Sequence, residues 1–379
     1  MSVMFFNGPV QNGDFTFADR PGKATGIHIA EALNAIALNP QAPHLWNTTT
    51  LAGDQRHRAQ TEQRPVDRTT LETDTIHGKY PPGTFPQSGV LTDADPAVAA
   101  LAREMIAARL ADGALTIRPT TVRVCAHCDH MTGTGPHPCR NCGNTETRPR
   151  TERHLIADRD PDHPVLDTDD FHAHHSRPPR HLMNIAANVP EQLILSRTRS
   201  HGIDLAPLGL PGLVLDPRAA LHVTVLAAAR SHGADTAAMT TTQNAAAHIA
   251  AHGQPFRHFD GTRVRYALHG RVPEGDTSSR QSLYEVHRVS PHVRDLFEYW
   301  YLPLCSLREK DQVRPERVAG LVKFLRRACL AQGVAPDPER QAAVREAVRA
   351  GDTGWLTDID LLPHVIPSSQ TARGAQRPL

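Results

Sequence analysis

Four cysteines are the residues of this chain whose type and spacing most directly imply chemistry. Cys125 and Cys128 form one pair and Cys139 and Cys142 a second. Between the pairs lie ten residues rich in turn formers, among them Gly133, Gly135, Pro136 and Pro138. Two such pairs can fold back on one another and set four thiolates at tetrahedral corners, the shell that zinc takes in structural sites. Four sulfurs leave no open position, so the ion would hold an element together and take no part in a reaction. Two disulfides are the alternative. Only Cys305 and Cys329 lie outside the cluster, and a reduced, intracellular protein is the simpler reading.

A second group pairs cations with glycines. Arg20-Pro21-Gly22-Lys23, with Gly26 just beyond, lies between a strand candidate and a helix candidate. Strand, glycine-bearing loop and helix open many nucleotide-binding α/β domains, because helix-start N–H groups and nearby cations suit phosphate oxygens. Asp54 follows Gly53 at the end of the second strand candidate, and in open α/β sheets ligands sit at the carboxyl ends of strands. A third group, His172, His174 and His175 near Asp170, lies in a polar run from Asp158 to Arg180. That run has no apolar stripe, which favours a solvated loop over a metal site.

These residues need elements to position them. Val3 to Phe6 reads as a short buried strand stopped by Asn7-Gly8-Pro9. An apolar-rich helix runs from about Ile27 to Leu38, and a second strand from Leu45 to Leu51. Pro65 to Thr92 is polar and proline-spaced and reads as loop. Asp95-Pro96 starts a helix with the apolar stripe Val98, Leu101, Met105 and Leu110, ended by Gly113. Leu115 to Val124 is a strand leading into the cysteines. Further on, Arg180–Asn188 and Ala219–Ser231 read as helices, and Leu193–Leu195, Gly212–Leu215 and Val264–Leu268 as strands. Helices follow from Val293, over Val313–Gln332 and over Pro336–Ala350, before a tail from about Pro367 with a disordered composition.

The chain has 379 residues and a formal net charge of +1, so no basic surplus advertises nucleic acid. The first residues do not form a signal peptide, and no stretch is apolar enough to span a bilayer, which predicts a cytoplasmic protein with no membrane partner. The expected fold is α/β, a doubly wound parallel sheet with a zinc-knuckle insertion and a short C-terminal helical segment. The expected units are 1–114 and 179–302 as two halves of the core, 115–178 as the insertion, 303–366 as C-terminal helices and 367–379 as a disordered tail.

Several segments in this order resemble the catalytic core of class I aminoacyl-tRNA synthetases, the methionyl type most closely. Leu51-Ala52-Gly53-Asp54-Gln55-Arg56-His57 resembles that family's TGTDEHG segment. The helix from Asp95 and the strand Thr121-Val122-Arg123-Val124-Cys125 resemble its approach to the zinc knuckle. Leu195-Ser196-Arg197 with His201-Gly202-Ile203-Asp204 resembles ISR…WGIP, Leu268-His269-Gly270 resembles the strand and HG pair before its mobile loop, and Val293 to Tyr299 resembles its VDALRYF helix. The resemblance spans roughly residues 3 to 302. It implies ATP as a substrate, accompanied by Mg2+, and structural Zn2+ on the four cysteines. It implies Gly22, Gly26, His269 and Gly270 at the nucleotide, and Asp54 and His201 at the amino acid, Asp54 on its ammonium group. It further implies Arg20, Lys23 and Arg280 as the catalytic cations.

The departures bear on activity. Arg20-Pro21-Gly22-Lys23 stands where the HIGH signature has two histidines, and Thr277-Ser278-Ser279-Arg280-Gln281 stands where KMSKS has its lysine. Arginine and lysine can still hold phosphate, with altered geometry. His201 replaces the tryptophan of the WG pair, and the pocket tryptophan is absent near Leu213 to Arg218, so the resemblance leaves the amino acid open. Only 77 residues follow Leu302, too few for the family's anticodon-reading bundle. Arg148, Arg150, Arg153, Arg177 and Arg180 are candidates for phosphate contact or for a solvated surface. Three functions stand side by side. The first is an ATP-dependent ligase that forms an aminoacyl-adenylate and passes it to a small-molecule acceptor without tRNA. The second is a true aminoacyl-tRNA ligase with eroded signatures. The third is a pseudoenzyme that binds a nucleotide or a partner without turnover.

Overall fold

A computed structural model of the chain describes residues 2–10, 15–51, 70–132, 138–139, 141–159, 165–173, 189–199, 201–273, 277–331 and 336–367. Its centre is a parallel sheet. β1 (Val3–Asn7) pairs with β10 (Thr236–Thr242), and β10 pairs with β12 (Thr262–His269). The far edge of β12 takes the antiparallel β11 (His258–Phe259) near its start and the parallel β6 (Phe171–Ala173) near its end. β2 (His44–Trp46) and β3 (Val90–Thr92) form a parallel pair beside β1. Asn7 makes that junction: its Nδ2 donates to Leu45 O at 2.9 Å and its Oδ1 accepts from Leu45 N at 2.8 Å.

Alternation along the strands divides the core into two layers. Val3 and Phe5 face one side with Ala238 and Ala267, while Met4 and Phe6 face the other with Ala237, Met239, Val264 and Tyr266. α1 (Thr25–Ala37) packs on the first side through Ile29 and Leu33. α2 (Pro96–Ala111), α3 (Pro217–Ser231) and α4 (Gln243–Gly253) pack on the second. Helices on both faces of a parallel sheet make the architecture doubly wound. Asp95 caps α2 as expected, its side chain accepting from Ala97 N at 2.8 Å.

The insertion is a long antiparallel ribbon of β4 (Thr116–Cys125) and β5 (Thr147–Asp158), joined at its base by β7 (Gln192–Ile194). A small antiparallel pair, β8 (Ser196–Arg197) and β9 (Val214–Leu215), leads into α3. After β12 come α5 (Thr277–Val286) and a helix that begins as Pro291–Leu296, widens at Phe297–Tyr301 and closes again over Leu302–Ser306. α6 (Pro315–Ala331) and α7 (Pro338–Ala350) follow. Leu325, Val344 and Trp355 join the layer that holds α1, so the C-terminal segment packs on the core.

Three sequence expectations need correction, and two elements had none. The Leu45–Leu51 strand ends at Trp46, because Asn47 Oδ1 accepts from Thr50 N at 3.0 Å and starts a helical turn over 48–51. The stretch expected as loop, Pro65 to Thr92, contains helical turns at Thr70–Ile76 and His77–Lys79 and the strand β3. His172 sits in β6, buried, with its Nε2 3.0 Å from Val348 O; this strand at the end of the expected insertion thus belongs to the main sheet. The central strand β10 and the helix α4 had no sequence expectation at all. Thr236-Ala-Ala-Met-Thr-Thr-Thr242 is buried on both faces, so it shows no polar alternation to read.

Candidate functional site

The ribbon ends in two turns of identical build. Asp129 N donates to Cys125 O at 3.1 Å and Gly143 N to Cys139 O at 2.8 Å; Cys125 N donates to His130 O at 2.9 Å and Cys139 N to Asn144 O at 2.8 Å. Asp129 and Gly143, each just after the second cysteine of its pair, adopt positive φ of 56° and 77°. These turns aim four thiols at one point. The four Sγ atoms lie within 4.8 Å of one another, Cys125 to Cys142 at 3.4 Å and Cys128 to Cys139 at 3.7 Å. A Zn–S bond of about 2.3 Å in a tetrahedron places sulfurs about 3.8 Å apart, so the donor set fits zinc. None of the cysteines is in a disulfide. Asn144 N–H lowers the Cys142 pKa, but burial and the neighbouring thiols outweigh it and carry the group up to about 12. A cation among the sulfurs removes that conflict.

The three parallel strands β1, β10 and β12 end together, and a cavity of about 410 Å³ opens beyond them. Asn7 and Gly8 lie at the end of β1, Thr240 to Thr242 at the end of β10, and His269 and Arg271 at the end of β12. The turn Pro21–Ala24 and the start of α1 form the facing wall. Thr240 holds these pieces in place: its hydroxyl donates to Gly26 O at 3.0 Å and accepts from Gly8 N at 3.2 Å. The approach is so close that a Cβ on Gly8 would lie 1.9 Å from Thr240 O, and one on Gly26 would lie 2.7 Å from Thr240 Oγ1. Gly8 is required by contact with the Thr240 backbone, and Gly26 by the close approach of the Thr240 hydroxyl.

Among the described residues the cavity is lined by three cations, Arg20, Lys23 and Arg271, and by no carboxylate. Its field therefore favours an anion, and the N-terminus of α1 adds to it. His269 is neutral. Burial lowers its pKa to about 4, and its Nδ1–H donates to Gly270 O at 2.8 Å, which leaves Nε2 as an acceptor near Gly26. Thr241 Oγ1 is buried at the cavity wall with no partner among the described residues, a polar group that a bound ligand would satisfy.

The structure thus brings together Arg20, Gly22, Lys23, Gly26 and His269. Gly270 stands behind them: its N–H donates to Ser306 O at 2.8 Å, and a Cβ there would meet Glu309 Cβ at 2.9 Å. Arg280 does not line the cavity. Its Nε is 3.1 Å from Glu298 Oε1, and its Nη1 donates to Pro273 O at 2.9 Å, so it grips the rim from outside. His201 lines neither this cavity nor the next, and its neighbour Gly202 packs on Thr49. Asp54, His174, His175, Arg177 and Arg180 lie outside the described residues. Sequence reasoning missed Thr240, Thr241 and Arg271. Arg271 had one available signal, its place directly after His269-Gly270. The two threonines had none.

A smaller cavity of about 290 Å³ adjoins the first, with Pro9 and Val10 lining both. Leu45, Trp46, Leu221 and Ile249 make it largely apolar, and Arg218 is the one charged residue among its described lining.

A cation-lined cavity at the carboxyl ends of a doubly wound parallel sheet, a smaller apolar cavity beside it and a four-cysteine ribbon inserted between the halves of the sheet define an α/β fold with a ligand-sized site at the ends of its strands. Solved structures share this fold. Methionyl-tRNA synthetase of Mycobacterium tuberculosis in complex with methionyl-adenylate matches with a TM-score of 0.55 and 12% identity, over 96% of this chain and 82% of that one. A second structure of that enzyme bound by methionyl-adenylate gives a TM-score of 0.54 and 13% identity, over 96% and 81%. The chain has the fold of a methionyl-tRNA synthetase core. No protein-family model and no curated protein sequence matches it. Among the described residues no helix is long and apolar enough to cross a membrane.

Proposed function

We propose that this chain is an ATP-dependent ligase that activates an amino acid as its aminoacyl-adenylate, with zinc on Cys125, Cys128, Cys139 and Cys142 as a structural ion. The observation that carries the reading is the pair of abutting cavities, one ringed by Arg20, Lys23 and Arg271 with no carboxylate among the described residues, the other largely apolar. Adenylate formation needs an amino-acid carboxylate to attack the α-phosphorus of ATP in line while cations hold the leaving pyrophosphate. Pro9 and Val10 stand where the two ligands would meet. Arg20 and Lys23, at the turn before α1, and Arg271, across the cavity, would share the phosphates, which enter as the Mg2+ complex. Neutral His269 would accept a hydrogen bond from a ligand hydroxyl through Nε2. Gly22 and Gly26 keep the facing wall open to the nucleotide. Asp54 would pair with the substrate ammonium, and Arg280 would fix the rim through Pro273.

The adenylate would pass to a small nucleophile. Support comes from the ribbon, where Arg148 is paired with Asp129 at 2.6 Å and Arg150 with Glu152 at 2.7 Å. Cations bound to carboxylates on their own surface offer little to a nucleic-acid backbone. The test is ATP–pyrophosphate exchange over a panel of amino acids, followed by transfer to hydroxylamine or to bulk tRNA. Exchange with one amino acid and capture by hydroxylamine without tRNA is the expected result. Charging of tRNA would replace this reading with an aminoacyl-tRNA ligase. ATP binding without exchange would replace it with a nucleotide-binding protein that does not turn over.

A further inference from the structure

The smaller cavity carries one feature that an apolar side chain would not use. Arg218 stands on its wall with about a third of its side chain exposed, in a lining otherwise dominated by Leu45, Trp46, Leu221 and Ile249. Asp216, wholly buried, is the N-cap of α3 and accepts from Arg218 N at 2.9 Å and from Arg218 Nε at 3.0 Å. The same carboxylate also accepts from Arg218 Nη2 at 3.1 Å and from Arg197 Nε at 2.8 Å. Two guanidinium groups therefore share one carboxylate, and the cluster keeps a net positive charge. His252 nearby does not change that balance: burial, reinforced by Arg218, lowers its pKa to about 4 and keeps it neutral.

Asp216 has no capacity left for a further donor. Burial alone would raise its pKa, yet Arg197 and Arg218 hold it well below the usual carboxylate range. The carboxylate is thus fully ionised and fully bonded, and it fixes the Arg218 fork in place through Nε and Nη2. The remaining guanidinium nitrogen, Nη1, makes no hydrogen bond among the described residues. The other polar side chain with known bonds here, Asn47, is committed to Thr50 N and Pro217 O. A preorganised guanidinium with an unused face, at the edge of a short apolar trough, suits a carboxylate at the end of one or two methylenes.

We propose that the amino acid held in this cavity carries an acidic side chain, aspartate or glutamate in type, read by Arg218. The inference rests on the ligase reading for the cavity's role but has its own test. Binding of L-aspartate, L-glutamate, their amides and L-methionine is measured by calorimetry, with ATP titrated separately. Tests on Arg218→Gln and Arg218→Lys follow, with melting temperature as the check on folding; glutamine keeps a donor for Asp216, and Arg197 still bonds that carboxylate. The expected result is one acidic amino acid bound roughly tenfold or more tighter than its amide, a preference abolished in Arg218→Gln and partly kept in Arg218→Lys. An amide or methionine bound as tightly as the acid overturns the inference, as does a preference for the acid that survives Arg218→Gln. ATP binding without any acidic amino acid overturns the inference and leaves the ligase reading standing. Binding of an acidic amino acid without ATP does the reverse.

Discussion

The cysteine ribbon draws its four thiols from 18 residues of chain, Cys125 to Cys142. The cationic cavity is assembled from segments as far apart as Asn7 and Gln312. In the ribbon, two identical turns aim each pair of thiols, and a hairpin brings the pairs together; nearly all the ordering is local. In the cavity, Thr240 must bond Gly8 and Gly26 across more than two hundred residues of sequence before Arg20, Lys23 and Arg271 face one space. One site should therefore fail when its ion is removed, and the other when its packing is disturbed. Neither failure should carry over to the other.

The largest effect belongs to the ribbon. Cys125→Ser should take bound zinc from one equivalent to none and unfold the tip, since metal binding supplies of order 10 kcal/mol to such elements. ATP affinity should change by less than about threefold, because no described residue of the ribbon lines the cavity. Purified wild-type protein without bound metal would break the comparison at its first term.

Gly8→Ala is the matching lesion in the core. A Cβ 1.9 Å from Thr240 O has backbone, not a flexible side chain, in its way, so the end of β1 must move off β10. A loss of about 3 kcal/mol in urea unfolding is expected, with ATP binding lost alongside and the zinc content unchanged. Stability within about 0.5 kcal/mol of wild type would mean that this junction is looser than the hydrogen bonds of Thr240 imply.

Acid should weaken the core on its own. His172, His222 and His269 are buried neutral, each with its pKa lowered by burial to about 4. In the unfolded chain they titrate near 6.5, so the unfolded state binds more protons between those values. Their contribution is complete above about pH 6.5 and is lost as pH falls toward 4, about 1–3 kcal/mol for each. Glu31 and Asp216, both held below the usual carboxylate range, act in the same direction at lower pH, whereas buried Asp93, with its pKa raised, acts in the opposite one. Denaturant titrations of Cys125→Ser from pH 8 to 5 isolate the core. A flat stability over that range would refute the assignment.

The finest distinction lies within the cavity. Lys23→Ala and Arg271→Ala should each weaken ATP by roughly ten- to hundred-fold with little change in melting temperature. Arg280→Ala should cost less than about threefold, since its guanidinium is held by Glu298 and Pro273 O. Calorimetric titration of the three variants decides it. An equal loss in Arg280→Ala would return that arginine to the phosphates.

Part of this protein could be read without coordinates. The spacing of the cysteines determined the four-thiol cluster, because turns of three or four residues have few conformations and only short-range contacts are needed. Asp95-Pro96 determined the start of α2, and Val3 to Phe6 the first strand, for the same local reasons. Arg20, Gly22 and Lys23 were legible in the strand, glycine-bearing loop and helix that open the chain, whereas His269 was reached only through resemblance. Tertiary structure alone decided the rest. β10 gives no periodic signal because both its faces are buried, and Thr240 has significance only beside Gly8 and Gly26. The roles of Arg271 and Arg280 diverge in the same way: two arginines on one short stretch of chain look alike in sequence, but one faces the open cavity while the other, on α5, finds Glu298 on a later helix. Which charge is available to a ligand depends on which partners the fold brings within reach, and those partners are distant in the chain.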